Sequence, residues 1–104
     1  MKQFIDENRA KELKSIIGEP TSVEVVEKKM FRTYIRYNYS LGDLLMCCPL
    51  KITVDGKVYD RTIIGNKLRY RTVTNCQITY GKNAELIDNL YAFIVDFYKN
   101  EKIK

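Results

Sequence analysis

Two dipeptides, Asp55-Gly56 and Gly65-Asn66, place the strongest constraint on the fold of this 104-residue chain. Each lies between runs in which apolar and polar residues alternate. Glycine, asparagine and aspartate accept the positive backbone φ angles that tight hairpins require. The sequence therefore predicts an antiparallel meander from Leu50 onward.

Two-residue turns would also fix the register of that meander. They place Ile63 opposite Leu68, Thr62 opposite Arg69, and Asp60 opposite Arg71. One face is then apolar and predicted to form the core: Leu50, Ile52, Val54, Tyr59, Ile63, Leu68, Tyr70, Cys76 and Ile78. The opposite face is mainly polar and basic: Lys51, Thr53, Thr62, Lys67, Arg69, Arg71 and Asn75. Arg61 falls on the apolar face, which indicates a bulge or a strand end.

A helix is predicted at each end of the chain. Apolar residues at helical spacing indicate a helix over residues 2–17, ended by Gly18 and Pro20, and another over 84–99, with Asn83 as N-cap. The apolar arc of the second helix is wide, and its simplest interpretation is a core helix lying across the sheet. Tyr91 and Tyr98 share one edge of that arc and are predicted interface residues, because interfaces favour exposed aromatic side chains.

The segment between the first helix and the meander is ambiguous. Thr21 and Glu24 match a capping box, whereas the neighbouring valines are β-branched and favour strands. We favour strands, either two with a turn near Glu27 to Lys29 or one long bent strand. The segment "DLLMCCPL" that begins at Asp43 is apolar and irregular. The predicted fold is one α+β domain over residues 1–104, with two terminal helices on one face of a four- or five-stranded antiparallel sheet.

A basic face with aromatic residues is the leading candidate for a binding site. Alternation in the stretch "MFRTYIRYNYS" puts Arg32, Tyr34 and Arg36 on one face. We predict that they share a surface with Lys67, Arg69 and Arg71, where cations would neutralise phosphates and a ring would stack on bases. The simpler alternative is a solvated outer face whose arginine stems cover apolar surface.

The charge distribution supports an anionic partner for the middle of the chain. The net charge is +5, but residues 28–82 carry 11 basic and 3 acidic side chains, net +8, and the flanks carry 7 and 10, net −3. Charge asymmetry of this kind bears on association and not on fold.

The residue types present argue against catalysis. The chain has no histidine, which removes the usual general base and the commonest transition-metal ligand. The adjacent Cys47 and Cys48 suit neither an ordinary disulfide nor a zinc site, and we expect buried, reduced thiols. Asp55 is accounted for by its turn and Asp60 by its cross-strand partner. We therefore expect no enzyme activity, no catalytic residues, no metal site and no cofactor.

These observations lead to two function hypotheses. The chain has neither a secretory signal pattern nor a long apolar run, so we expect a cytoplasmic protein that does not enter membranes. The first hypothesis is a protein-binding regulator or inhibitor, of the size and style found in phages and other mobile elements. The alternative is an RNA- or DNA-binding module that uses the basic sheet face. Self-association into a homodimer would help so small a core.

Overall fold

The computed structural model describes residues 4–29 and 32–99, without the side chains of residues 24, 26–29 and 32–35. Three helices and six strands are present in this part of the chain. In order they are α1 (Glu7–Ile17), β1 (Ser22–Lys29), β2 (Arg32–Asn38), α2 (Leu41–Met46), β3 (Lys51–Val54), β4 (Lys57–Ile64), β5 (Lys67–Arg71), β6 (Gln77–Tyr80) and α3 (Leu86–Lys99). The predicted α+β fold class is confirmed, with α1 and α3 as the terminal helices.

Strands β3 to β6 form a four-stranded antiparallel meander in chain order. Asp55 and Gly56 have φ angles of 52° and 77°, and Gly65 has a φ of 59°. Each dipeptide forms a two-residue turn, because Val54 pairs with Lys57 and Ile64 pairs with Lys67. The predicted register is confirmed at all three positions, including Thr62 opposite Arg69.

The inner face of this sheet packs against α3 to form the core. Leu68 and Tyr70 alternate on β5 with exposed or half-buried neighbours and are themselves inaccessible to solvent. The Tyr70 ring stacks on Phe93 at 5.0 Å between centroids, and Phe93 stacks on Phe97 at 4.6 Å. Burial of large aromatic side chains on both layers stabilises the contact between sheet and helix.

The segment before the meander forms a separate hairpin. Strands β1 and β2 pair antiparallel as a two-stranded sheet, with an irregularity between Val25 and Glu27. The predicted choice of strands is therefore confirmed, but these strands do not extend the four-stranded sheet. The predicted turn near Glu27 to Lys29 is wrong, because these residues belong to β1, which runs through Lys29. The molecule is elongated, with principal dimensions of 59 × 29 × 19 Å.

Helix α1 lies between the β1–β2 hairpin and α3 and contacts both. It begins later than the predicted residue 2, because the Asp6 side chain accepts a hydrogen bond from the Arg9 backbone N–H and caps the helix. The Arg9 guanidinium also pairs with Asp88 of α3 at 2.9 Å. On the other side, Lys14 lies 4.8 Å from the ring centroid of Tyr37 in β2. Helix α1 thus contacts both neighbours through polar and cation–π interactions.

The segment after Gly42 was predicted to be irregular, but the structure shows that it begins within helix α2, so this prediction was wrong. Ser40 and Asp43 form a complete capping box, with Asp43 N–H donating to Ser40 Oγ at 3.2 Å and Ser40 N–H donating to Asp43 Oδ2 at 3.0 Å. At the other end, the Arg61 guanidinium donates to the carbonyl oxygens of Leu45 and Cys48, at 3.3 and 2.6 Å. Arg61 therefore lies on the inner face in order to bind the end of α2, rather than to mark a bulge.

The start of α3 also differs from the prediction. The helix begins at Leu86, and Asn83 is not its N-cap. Asn89, within the helix, is 1% exposed and bridges two loops. Its amide nitrogen donates to the carbonyl oxygens of Asn66 and Asn83, and its Oδ1 accepts from the Asn83 N–H at 3.0 Å. Asn66 Nδ2 donates in turn to the Asn83 carbonyl at 2.8 Å. This network ties the β4–β5 turn to the loop before α3.

Candidate binding surface

The face of the four-stranded sheet opposite α3 is the main candidate site, and we call it the outer face. Alternation along β3 to β6 and their registers place these side chains on it: Lys51, Thr53, Val58, Asp60, Thr62, Ile64, Lys67, Arg69, Arg71, Gln77 and Thr79. All are exposed except Arg69, which is half-buried. The face therefore lies open to solvent across all four strands.

The registers arrange this surface in four cross-strand rows. Lys51, Asp60, Arg71 and Gln77 form the first row, in which Lys51 and Asp60 lie 3.5 Å apart as an exposed ion pair. Thr62, Arg69 and Thr79 form the second row, Ile64 and Lys67 form the third, and Thr53 and Val58 form the fourth. The outer face carries four cations and one carboxylate, so its net charge is positive.

Arg69 lies at the centre of this surface. Its neighbours on β4 and β6 are the short side chains of Thr62 and Thr79. The Arg69 Nε is shielded from solvent and has no hydrogen-bond partner among the described residues. A buried donor without a partner costs about 1–3 kcal/mol, so an acceptor brought by a ligand would have a favourable position here.

Apolar and β-branched residues accompany the cations. Val58 and Ile64 are exposed on β4, and Val73 is 97% exposed just after β5. A depression of about 460 Å³ lies at this corner, lined by Lys51, Lys57, Val58, Asp60 and residues 72–74. The outer face has no aromatic side chain. It therefore combines positive charge with apolar contact area but provides no ring on which a base would stack.

The structure separates the predicted basic residues into two groups. Lys67, Arg69 and Arg71 lie together on β5, as predicted. Arg32, Tyr34 and Arg36 lie on β2 in the other sheet, where their register partners are Lys29, Glu27 and Glu24. Arg36 is exposed, whereas the side chains of Arg32 and Tyr34 lie outside what the structure describes. The two groups do not form one sheet surface, because β2 pairs with β1 and not with the four-stranded sheet. The shared surface was predicted from local alternation, which does not determine which strands pair.

The predicted interface tyrosines have partners within the chain. The Tyr91 hydroxyl donates to the Glu12 carboxylate of α1 and, with Lys99, holds the pKa of Glu12 below its ordinary value. The Tyr98 hydroxyl donates to the Cys47 carbonyl at 2.7 Å. The wide apolar arc of α3 is thus explained by contacts with α1, α2 and the sheet. No external interface is therefore needed to explain why these two tyrosines are present on α3.

The cysteines are free thiols in different environments. Cys48 is buried, which raises its pKa to about 12, and burial also raises the pKa of Cys47. Cys76 lies beside the hydroxyls of Thr74 and Thr72 and the Lys57 ammonium, which lower its pKa. In the described part of the chain, histidine, cysteine and acidic side chains form no cluster of three or more suited to a metal ion.

Comparisons with known proteins give no further indication of function. No family model matches the sequence, and no curated protein or solved structure matches it either. Among the described residues, no helix is long and apolar enough to span a bilayer.

Proposed function

We propose that this protein is a protein-binding regulator or inhibitor whose outer face docks onto an acidic surface of its partner. The observation that carries the proposal is the combination of cations with exposed apolar residues on a sheet face that lacks aromatic rings. Arginine is enriched in protein interfaces, and a half-buried arginine at the centre of a patch is a typical hot spot. Arg69 has this position.

Nucleic-acid binding is the second candidate, and the positive charge of the outer face favours it. Without a stacking ring, this face would bind a phosphate backbone by charge alone. If Lys67, Arg69 and Arg71 each neutralised one phosphate of a duplex, the affinity would fall with salt at a log–log slope of about −3. Such binding would have little sequence preference, because phosphate contacts carry no sequence information.

A capture experiment tests the first candidate. The purified protein is immobilised and exposed to extract of its source cell after nuclease treatment, at low and at raised salt. We expect stoichiometric recovery of a protein partner by the wild type and loss of at least about tenfold in affinity for Arg69→Glu. Lys11→Glu is the matched control, since Lys11 is exposed on α1 and the charge change is the same. Circular dichroism establishes that both variants fold.

Fluorescence anisotropy with single-stranded and duplex oligonucleotides tests the second candidate. A salt slope of about −3 that falls by about one unit in Arg69→Glu would support phosphate binding by the outer face. Absence of oligonucleotide binding at low salt, together with a nuclease-resistant partner that Arg69→Glu loses, would support the protein-binding proposal. Equal recovery of that partner by Arg69→Glu and Lys11→Glu would refute it.

A further inference from the structure

Strand β6 forms one edge of the four-stranded sheet, and its outward backbone groups can be identified from the hydrogen-bond pattern. The Thr72 N–H donates to the Cys76 carbonyl at 2.9 Å, and antiparallel pairs alternate between bonded and non-bonded. Ile78 and Tyr80 therefore direct their N–H and C=O groups toward β5. Gln77, Thr79 and Gly81 direct theirs away from the sheet.

Strand β6 itself contains none of the residue types that commonly protect exposed strands. Natural edges are blocked by proline, by charged side chains or by covering elements. The opposite edge strand, β3, begins with Lys51 and follows Pro49 within two residues. Strand β6, by contrast, has the sequence "QITY", with neither a charge nor a proline. Among the described residues, Gln77, Thr79 and Gly81 have no backbone hydrogen bond to other loops or helices.

A cavity of about 410 Å³ lies directly beside this edge, between β6 and α3. It is lined by residues 78–83 with Asn89 and Ala92 of α3, and Ile78, Tyr80 and Ala92 supply the apolar side chains. Ile78 and Tyr80 face α3, so they form the strand side of the cavity. Ala92 is half-buried and has the smallest side chain of α3, so it takes up little of this space. A strand added to β6 would direct every second side chain into this cavity.

On the outer face of the sheet, the surface next to this edge is positively charged. Gly81 lacks a side chain, and the aliphatic stem of Lys67 runs across it, with Cγ only 2.7 Å from where a Cβ would be. Lys67 thus reaches from β5 over β6. Arg69 and Arg71 lie opposite Thr79 and Gln77 in the register, one strand further in. An added strand would meet cations on this side and the cavity on the other.

We propose that β6 is the site of β-strand addition by an extended segment of the partner protein in which apolar and acidic residues alternate. The segment pairs antiparallel with Gln77, Thr79 and Gly81, its apolar residues enter the cavity beside α3, and its acidic residues face Lys67, Arg69 and Arg71. Main-chain hydrogen bonds supply affinity in this mode, and the alternate side chains supply specificity. The inference rests on the proposed protein-binding function and names the partner's chemistry.

Charge argues for a foreign segment rather than a second copy. Pairing of β6 with β6 of another molecule would bring a second set of Lys67, Arg69 and Arg71 onto the same side of the extended sheet. Gathering two sets of cations on one face of the sheet opposes such self-pairing. An acidic segment removes this repulsion and adds ion pairs at the rim.

The probe is a blocked peptide of about ten residues in which glutamate and valine alternate. In an antiparallel pair, two residues that bond to each other through their backbones have their side chains on the same face of the sheet. Gln77 and Thr79 lie on the outer face, so the peptide residues that bond to Gln77, Thr79 and Gly81 are the glutamates, and the valines face the cavity. N-methylation of every valine therefore leaves this pairing intact and prevents self-assembly of the peptide. N-methylation of every glutamate removes the required donors, and that isomer has the same composition and charge.

The assay is amide hydrogen exchange followed by NMR during titration of each peptide. We expect the valine-methylated peptide to slow exchange of the Thr79 amide by about tenfold or more at saturation, and the glutamate-methylated isomer to have no effect. A peptide with lysine in place of glutamate should bind at least about tenfold more weakly. Equal binding of both methylated isomers, or no protection of Thr79 by either, would overturn the proposal.

Two variants distinguish strand addition at β6 from the more general proposal that the outer face binds a protein. Thr79→Pro removes the outward N–H without removing a bond to β5, so we expect the fold to be retained, and Ala92→Leu narrows the cavity. Both should lose the peptide and the captured partner. If Arg69→Glu loses the partner but Thr79→Pro and Ala92→Leu retain it, strand addition is refuted and the outer face remains a protein-binding surface. A dimer whose formation Thr79→Pro abolishes would show self-pairing and would also refute the proposal.

Discussion

The buried side chain of Asn89 gives the sharpest prediction about stability. Replacing it with alanine removes three hydrogen bonds and leaves the Asn66 carbonyl and the Asn83 N–H without their side-chain partner. Buried polar groups without partners cost about 1–3 kcal/mol each, and both loops are half-buried, so water compensates in part. We expect Asn89→Ala to lower the free energy of unfolding by about 2–4 kcal/mol.

Such a loss is a large fraction of the total stability of a domain of this size, about 5–15 kcal/mol. The midpoint of thermal unfolding should fall by about 10–20 °C. The chain has no tryptophan, so urea unfolding is followed by far-UV circular dichroism and tyrosine fluorescence. Asn8→Ala is the matched control, because Asn8 is exposed on α1 and alanine has the higher helix propensity there. A change below about 1 kcal/mol in Asn89→Ala would refute the structural role of this network.

Three further predictions follow from the buried and capping groups. With iodoacetamide near pH 8, Cys76 should be alkylated well before Cys48, because its lowered pKa gives more thiolate; mass spectrometry of partly labelled protein checks the order. Arg61→Ala should destabilise the fold by about 1–3 kcal/mol through loss of the bonds to α2, with less effect for Arg61→Lys, as measured by urea unfolding. Burial alone would raise the pKa of Asp43, but hydrogen bonds from Ser40 and its other partners lower it overall. The contribution of Asp43 to the free energy of unfolding should therefore be complete above its unfolded-state pKa and be lost as the pH falls through its folded-state pKa. Urea unfolding at a series of pH values should show that Asp43→Asn flattens this part of the stability–pH curve.

The meander was predictable because its turns are encoded locally. Positive φ angles at Asp55, Gly56 and Gly65 leave few choices of turn, and a two-residue turn fixes the register of both strands. The basic side chains of β5 followed from the same reasoning, since alternation assigns them to one face. In both cases the information lies within a few residues of sequence.

Other parts of the fold depend on contacts between distant segments. The start of α2 had a local signal in Ser40 and Asp43, which match a capping box, but the apolar residues after it resembled an irregular loop. The separation of β1 and β2 from the main sheet is a choice of strand partners, which alternation does not reveal. Asn89 has the sequence position of a solvent-facing residue, and only the approach of two loops explains its burial.

The chain-order arrangement of the meander also has a consequence for folding kinetics. Each strand from β3 to β6 pairs with its sequence neighbour, and α3 follows immediately, so these contacts close short loops at low entropic cost. The contacts between α1 and α3, such as Arg9 with Asp88, join segments separated by 79 residues. We expect the unit from Lys51 to Lys99 to be structured in the transition state for folding, and α1 with its hairpin to dock afterwards, with low φ-values at Arg9 and Glu12.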